Sequence, residues 1–171
     1  LKHVDLSGLI MMALFRFGWA KPVPVDMRNF KNPKTGMALT ALAGPVSNVV
    51  LAYAAVLFYN ATAFFYARSG SAWLIYLAQF FAYVEIISAG LAVFNVFPIP
   101  PLDGSKVLFA FLSDRAYQKL MRYERYGMAL LMLLLVLGAI DTPLEAMRDW
   151  LLNWLNGLGA WPYTLLNTIF S

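Results

Sequence analysis

The residues that could do chemistry are few and widely spaced. The 171 residues contain one histidine, His3, and no cysteine, which excludes disulfides and thiolate metal ligands. Asp103 follows the proline-rich stretch Pro98-Ile99-Pro100-Pro101-Leu102 at the end of a long apolar run. Irregular backbone at membrane depth is tolerated where it lines a cavity, so a carboxylate there is placed to serve as an oxygen ligand. The plainer alternative is that Asp103, ahead of Gly104-Ser105-Lys106, caps a short helix over residues 104–112. Asn48 stands one turn beyond Pro45 in an apolar helix. It shares a face with Ala41, Gly44, Ala52 and Ala55, so it serves either a polar site or a packing seam with one interhelical hydrogen bond. Glu85, Ser88 and Asn95 share another face. An ionised carboxylate near mid-span costs roughly 3 kcal/mol, so Glu85 is protonated, paired, or turned to water or protein, and is a functional candidate. His3 reads as an ordinary loop residue. No Ser/His/Asp constellation and no glycine-rich phosphate loop is present.

The elements that must position these groups are apolar helices. Long runs cover residues 37–67, 73–97 and 126–140, with Gly44-Pro45 predicting a kink in the first. Before them, residues 6–19 form an apolar stretch interrupted by Arg16 and short for a span. The segment from Trp19 to Val25, with Pro22 and Pro24, suits an extended piece at the membrane surface. Arg28, Lys31 and Lys34 mark a basic loop, and Lys106, Arg115, Lys119, Arg122 and Arg125 mark a second one. The tail from Leu144 to Phe170 carries Trp150, Trp154 and Trp161, which suits either an interfacial amphipathic helix or a broken last span.

Composition sets the class. Hydrophobic residues make up 61% of the chain and charged residues 13%, with a mean hydropathy of +0.64. Ordinary soluble domains carry about 25% charged residues. The expected fold is all-α: a multi-pass transmembrane helical domain with three clear spans and a C-terminal segment that lies on or crosses the bilayer. Three regions follow: 1–36 at the membrane surface, 37–140 as the transmembrane core, and 141–171 as the tail. The net charge of +4 resides in two loops and not in a stripe, which argues against nucleic acid as a partner. By the positive-inside rule both basic loops are cytoplasmic. The first two spans then make an out-and-back hairpin that brings Pro45 and Asn48 to the leaflet of Asn95 and Asp103.

The stretch from Asn95 to Gly104 (Asn95-Val96-Phe97-Pro98-Ile99-Pro100-Pro101-Leu102-Asp103-Gly104) resembles the N-x-x-P-x-x-P-L-D-G signature of the site-2 protease family of intramembrane metalloproteases. Gly44-Pro45-Val46-Ser47-Asn48 resembles that family's G-P-x-x-N element. The segments Leu1-Lys2-His3-Val4-Asp5, Phe17 to Val25, and Arg122-Tyr123-Glu124-Arg125-Tyr126-Gly127 look like pieces of its compact bacterial branch. A lone Leu-Asp-Gly is weak, but both motifs in order on one hairpin are specific. The resemblance covers residues 1 to about 140 and implies a Zn2+ enzyme that hydrolyses peptide bonds of membrane-spanning protein substrates within the bilayer of the cell's inner membrane, with its active-site side cytoplasmic. It implies Asp103 as the third protein ligand of the metal, and Asn48 and Asn95 as substrate or oxyanion contacts. A metal with three protein ligands keeps one position for water, whose pKa falls toward about 7.

The family's H-E-x-x-H helix, which supplies two histidine ligands and a general-base glutamate, has no counterpart among these residues. The chain therefore reads as the C-terminal part of such an enzyme, inactive alone. Two alternatives compete: a non-catalytic membrane scaffold of the same family, and a small transporter component using Glu85. A homo-oligomer is compatible with any of the three.

Overall fold

A computed structural model describes residue 26 and residues 29–170, apart from the side chains of residues 114, 118 and 120–125. The expectations for His3, for residues 6–19 and for the extended piece at 19–25 lie outside the described residues. Among the described residues there are six helices and no strand. They are α1 (Pro33–Ser69), α2 (Ala72–Val96), α3 (Asp103–Ala110), α4 (Asp114–Val136), α5 (Asp141–Gly159) and α6 (Trp161–Ile169).

The breaks follow from local chemistry. Proline needs no donor at the first helical position, and Pro33 opens α1 there. At the other end Gly70 takes φ 62°, a left-handed conformation that costs glycine little, and its N–H donates to the Tyr66 carbonyl at 2.9 Å. Helix α2 ends at Phe97, which is extended (φ −61°, ψ 133°) because the following Pro98 disfavours helical geometry in the residue before it. Helix α1 continues through Pro45. Proline has no N–H to donate, so the Ala41 carbonyl one turn earlier loses its usual helical partner.

Helices α1 and α2 are each long and apolar enough to cross a membrane. A third crossing requires the second half of α4 and the tail to be taken together, as Tyr126–Val136 plus Asp141–Ile169, bent by 86°. The expected third span over 126–140 is thus corrected: its helix stops at Val136. Gly138 adopts φ 66° in the turn that follows, and Asp141 opens the next helix. Large apolar side chains face outward along both long helices, Leu39, Val50, Phe58, Tyr83 and Ile87 among them. Small ones face inward: Ala52, Ala55 and Val56 from α1, and Ala89 and Ala92 from α2. That inversion of the soluble pattern fits lipid as the surrounding solvent, with small residues at the helix contacts.

The tail packs into this arrangement. Leu151 and Leu155 of α5 are buried in one cluster with Ala52, Val56, Ala89, Ala92 and Val93. Leu144 also packs against a second cluster of Leu102, Leu131 and Ile140. At the far end the Asn60 amide donates to the Gly159 carbonyl at 3.1 Å. A Cβ at Gly159 would collide with Val56, so α1 and α5 come together there only because residue 159 is glycine. Beyond it, Phe64 meets Tyr163 and Phe170, with the Arg68 guanidinium 4.9 Å from the Phe64 ring. Helix α5 therefore runs along the hairpin from the Leu102 end to the Arg68 end. Its 19 residues, at 1.5 Å each, reach about 28 Å, close to the thickness of a bilayer core.

Candidate functional site

The site is built at the end of α2, where prolines stop the helix and the chain turns into α3. The Pro100–Pro101 peptide is cis. Asp103 is the first residue of α3. The capping position belongs to Leu102, and no side-chain cap bond forms, so the helix-cap reading of Asp103 is corrected. Its carboxylate still lies in the first turn, where the helix dipole favours a negative group. Lys106 Nζ donates to Asp103 Oδ1 at 3.1 Å, with both side chains about one-third exposed. The second oxygen faces α1: a Cβ built on Gly44 would lie 3.5 Å from Asp103 Oδ2. The Gly44-Pro45 element and the Leu102-Asp103-Gly104 element thus meet at the carboxylate.

Two further glycines fix the aspartate's position. A Cβ on Gly104 would overlap the backbone of Val96 and come within 2.6 Å of the Phe97 carbonyl oxygen. A Cβ on Gly127 would collide with Pro100, 2.6 Å from its carbonyl oxygen. The start of α3 is therefore pressed against the end of α2, and α4 rests on the proline turn. Ser105, 1% exposed, donates its hydroxyl to the Leu102 carbonyl at 2.7 Å and closes the first turn from inside. Lys34 at the start of α1 donates to the Leu112 carbonyl at 2.7 Å, which ties that end of α1 to the turn after α3.

A cavity of about 240 Å³ opens at this junction, lined by Ala41, Pro45, Asn95, Asp103, Val107 and Phe111 among others. It gathers residues of both sequence elements. Asn95 lines it. Asn48 lies one turn past Pro45, partly exposed and outside the lining. Neither amide is engaged by another described group, so the interhelical hydrogen bond considered for Asn48 is not formed within the described residues. Of the small-residue face proposed for α1, Ala41, Ala52 and Ala55 are buried and Gly44 is exposed.

Glu85 lies elsewhere, 6% exposed between α2 and α5. It accepts a hydrogen bond from Asn156 Nδ2 at 2.6 Å, and the same amide donates to the Leu152 carbonyl at 2.9 Å. Sequence reasoning missed Asn156 and Asn60, the two amides that fasten the tail. The available signal was an amide within an otherwise apolar run. An unpaired buried polar group costs about 1–3 kcal/mol, whereas removing both partners together is nearly neutral. Asn156→Leu should therefore destabilise the full-length protein by about 1–2 kcal/mol, and the Glu85→Leu/Asn156→Leu double variant by much less than the sum. Unfolding in mixed detergent measures this, and simple additivity would contradict the pairing.

The described residues do not complete a metal site. Among them no group of three histidine, cysteine, aspartate or glutamate side chains could hold an ion. Asp103 fits the part of one oxygen ligand, because it lines the cavity and no donor among the described residues reaches its Oδ2.

Comparison with known proteins places this arrangement. The profile of peptidase family M50 matches residues 60–138, which include the turn bearing Asp103. A Bacillus subtilis (strain 168) protein with the provisional name zinc metalloprotease YwhC is 33% identical over 150 residues. That alignment covers 88% of this chain and 66% of the relative, so the match spans just under two-thirds of the relative's length. No solved structure matches the chain. The glycine-supported turn at Asp103, the two apolar helices and both matches agree, and the chain belongs to peptidase family M50, the site-2 protease family.

Proposed function

We propose that this chain supplies the aspartate side of the zinc site in an intramembrane metalloprotease that hydrolyses peptide bonds of membrane-spanning substrates. One observation carries the reading: Asp103 Oδ2 is turned to Gly44 of α1, and the cavity beside it is lined by Pro45 of one family element and by Asn95 and Asp103 of the other. In this reading the partly exposed Lys106 pair takes Oδ1, and Oδ2, which no described donor reaches, is left for the metal. The two histidines and the general-base glutamate come from an H-E-x-x-H helix outside these residues. By the positive-inside rule the basic segment 106–125, which lies in α3 and the first half of α4, is cytoplasmic, and the site belongs on the cytoplasmic side of the cell's inner membrane.

The asparagines suit the task left to them. A substrate helix has its carbonyls occupied and must open locally before a peptide bond can be reached. The amides of Asn95 and Asn48, which no other described group engages, can hold the opened strand or the oxygen on which charge develops. Loss of one such donor costs on the order of a hundredfold in turnover. Asn95→Ala should therefore slow cleavage by about that factor while leaving zinc content unchanged. A parallel loss of zinc would contradict the role.

The test of the function is cleavage of a single-span model substrate by the full-length protein in lipid vesicles. Cleavage should stop on chelation and return when zinc is added back. Cleavage indifferent to chelator would reject the reading. Binding of the span with no cleavage in either state would favour the non-catalytic scaffold.

A further inference from the structure

Two hollows in the structure share a wall. Val96 lines the cavity at Asp103, and it also lines a groove of about 350 Å³ between α1, α2 and α5. The groove is walled by apolar side chains: Val49 from α1, Ala92 and Val96 from α2, and Ala146, Met147 and Trp150 from α5. Val49 and Val96 directly follow Asn48 and Asn95, so each candidate substrate amide is the sequence neighbour of a groove residue.

Lipid tails are as apolar as these side chains, so burial alone gives an occupant little advantage. Shape decides what is held. Ala92 and Ala146 give the groove its depth, while Met147 and Trp150 give it bulk, and methionine is an adaptable wall for varied partners. A helix is about 10–12 Å across with its side chains, too wide for a hollow of this size. The groove therefore takes side chains and not a whole helix. A polypeptide strand held at Asp103 and Asn95 has Val96 at its border, and past Val96 the next space is this groove. That continuity favours the substrate over a lipid tail or a second copy of the chain.

We propose that the groove receives the apolar side chains of the substrate span next to the bond that is cut, and that Ala146 and Met147 set the size of residue accepted there. This rests on the protease reading and adds to it a determinant of specificity on α5.

The test uses full-length protein in phosphatidylcholine/phosphatidylglycerol vesicles and model substrates built on a leucine–alanine span of about 20 residues. One substrate position beside the cleavage point is set to glycine, alanine, leucine or phenylalanine. Ala146→Phe should lower cleavage of the leucine and phenylalanine substrates about tenfold, with the glycine and alanine substrates kept within about twofold. Equal slowing of all four would overturn the proposal. A photoreactive residue at position 147, in an Asp103→Ala background, supplies a readout independent of cleavage and should crosslink to the span. Crosslinks confined to lipid or to a second copy would overturn it. A crosslink to the span without any chelator-sensitive cleavage by the unsubstituted protein would sink the protease reading and leave the groove as a docking surface. Chelator-sensitive cleavage with no crosslink and no size dependence would sink the groove alone.

Discussion

Replacing Asp103 by alanine in the full-length protein should abolish cleavage and strip zinc from the purified enzyme. The expected loss of affinity exceeds the roughly 10–100-fold that follows removal of an outer-shell partner, because a ligand itself is gone. Asp103→Asn should behave nearly the same way, since the amide keeps the shape but removes the charge that binds the ion. Lys106→Met should be far milder: Lys106 reaches only Oδ1, at 3.1 Å and one-third exposed, and surface pairs of this kind contribute little. Zinc quantified on purified protein, beside cleavage of a single-span substrate, checks all three. Full zinc content in Asp103→Ala would remove the residue from the metal site.

Gly104→Ala should be nearly as damaging without touching any proposed ligand. A Cβ there overlaps the Val96 backbone and lies 2.6 Å from the Phe97 carbonyl oxygen, and neither can yield as a flexible side chain would. Either α3 lifts away from the end of α2 and carries Asp103 with it, or the end of α2 unwinds. Overpacking of this kind costs about 1–3 kcal/mol, occasionally more. The expected result is a lower unfolding midpoint together with loss of zinc and of cleavage. Gly44→Ala is the informative contrast, since its Cβ would sit 3.5 Å from Asp103 Oδ2, an ordinary contact distance. It should keep both the fold and the zinc content. A Gly104→Ala protein with normal stability and normal zinc would show that the turn does not position the aspartate as argued.

These two substitutions also mark what the amino-acid sequence could and could not reveal. The hairpin was legible because α1 and α2 are long apolar runs, and charge placement alone predicted that Pro45 and Asp103 would share an end. The hydrogen bond from Lys34 to Leu112 links the start of α1 to the turn after α3, in line with that prediction. The contacts made by Gly104 and Gly127 were not legible. A glycine announces freedom, not the neighbour that presses on it. Asp103 looked like a cap because Asp before Gly-Ser-Lys suits one, yet the extended Leu102 (φ −67°, ψ 152°) takes the capping position.

The tail was the larger gap. Asp141, Glu145, Arg148 and Asp149 give α5 too much charge for a simple span, and its tryptophans suggested the interface. What holds it within the hairpin is a sparse set of features: Leu151 and Leu155 in the core, Asn156 on Glu85, and Gly159 against Val56. Each depends on a partner about 70 to 100 residues away, and no local periodicity encodes such pairing. Glu85 shows the cost of judging by position alone. A carboxylate at mid-span invites a functional reading, and its surroundings in the structure are those of a fastening between two helices.

The central claim is that the Asp103 side chain completes the zinc site, and the metal itself can report on it. The chain has no cysteine, so Asp103→Cys introduces one sulfur at a known place. X-ray absorption at the zinc edge of the full-length, zinc-loaded variant should then show a new sulfur neighbour at about 2.3 Å in place of an oxygen at about 2.0–2.2 Å. A spectrum superimposable on that of the unsubstituted protein, with zinc fully bound in both, would contradict the account.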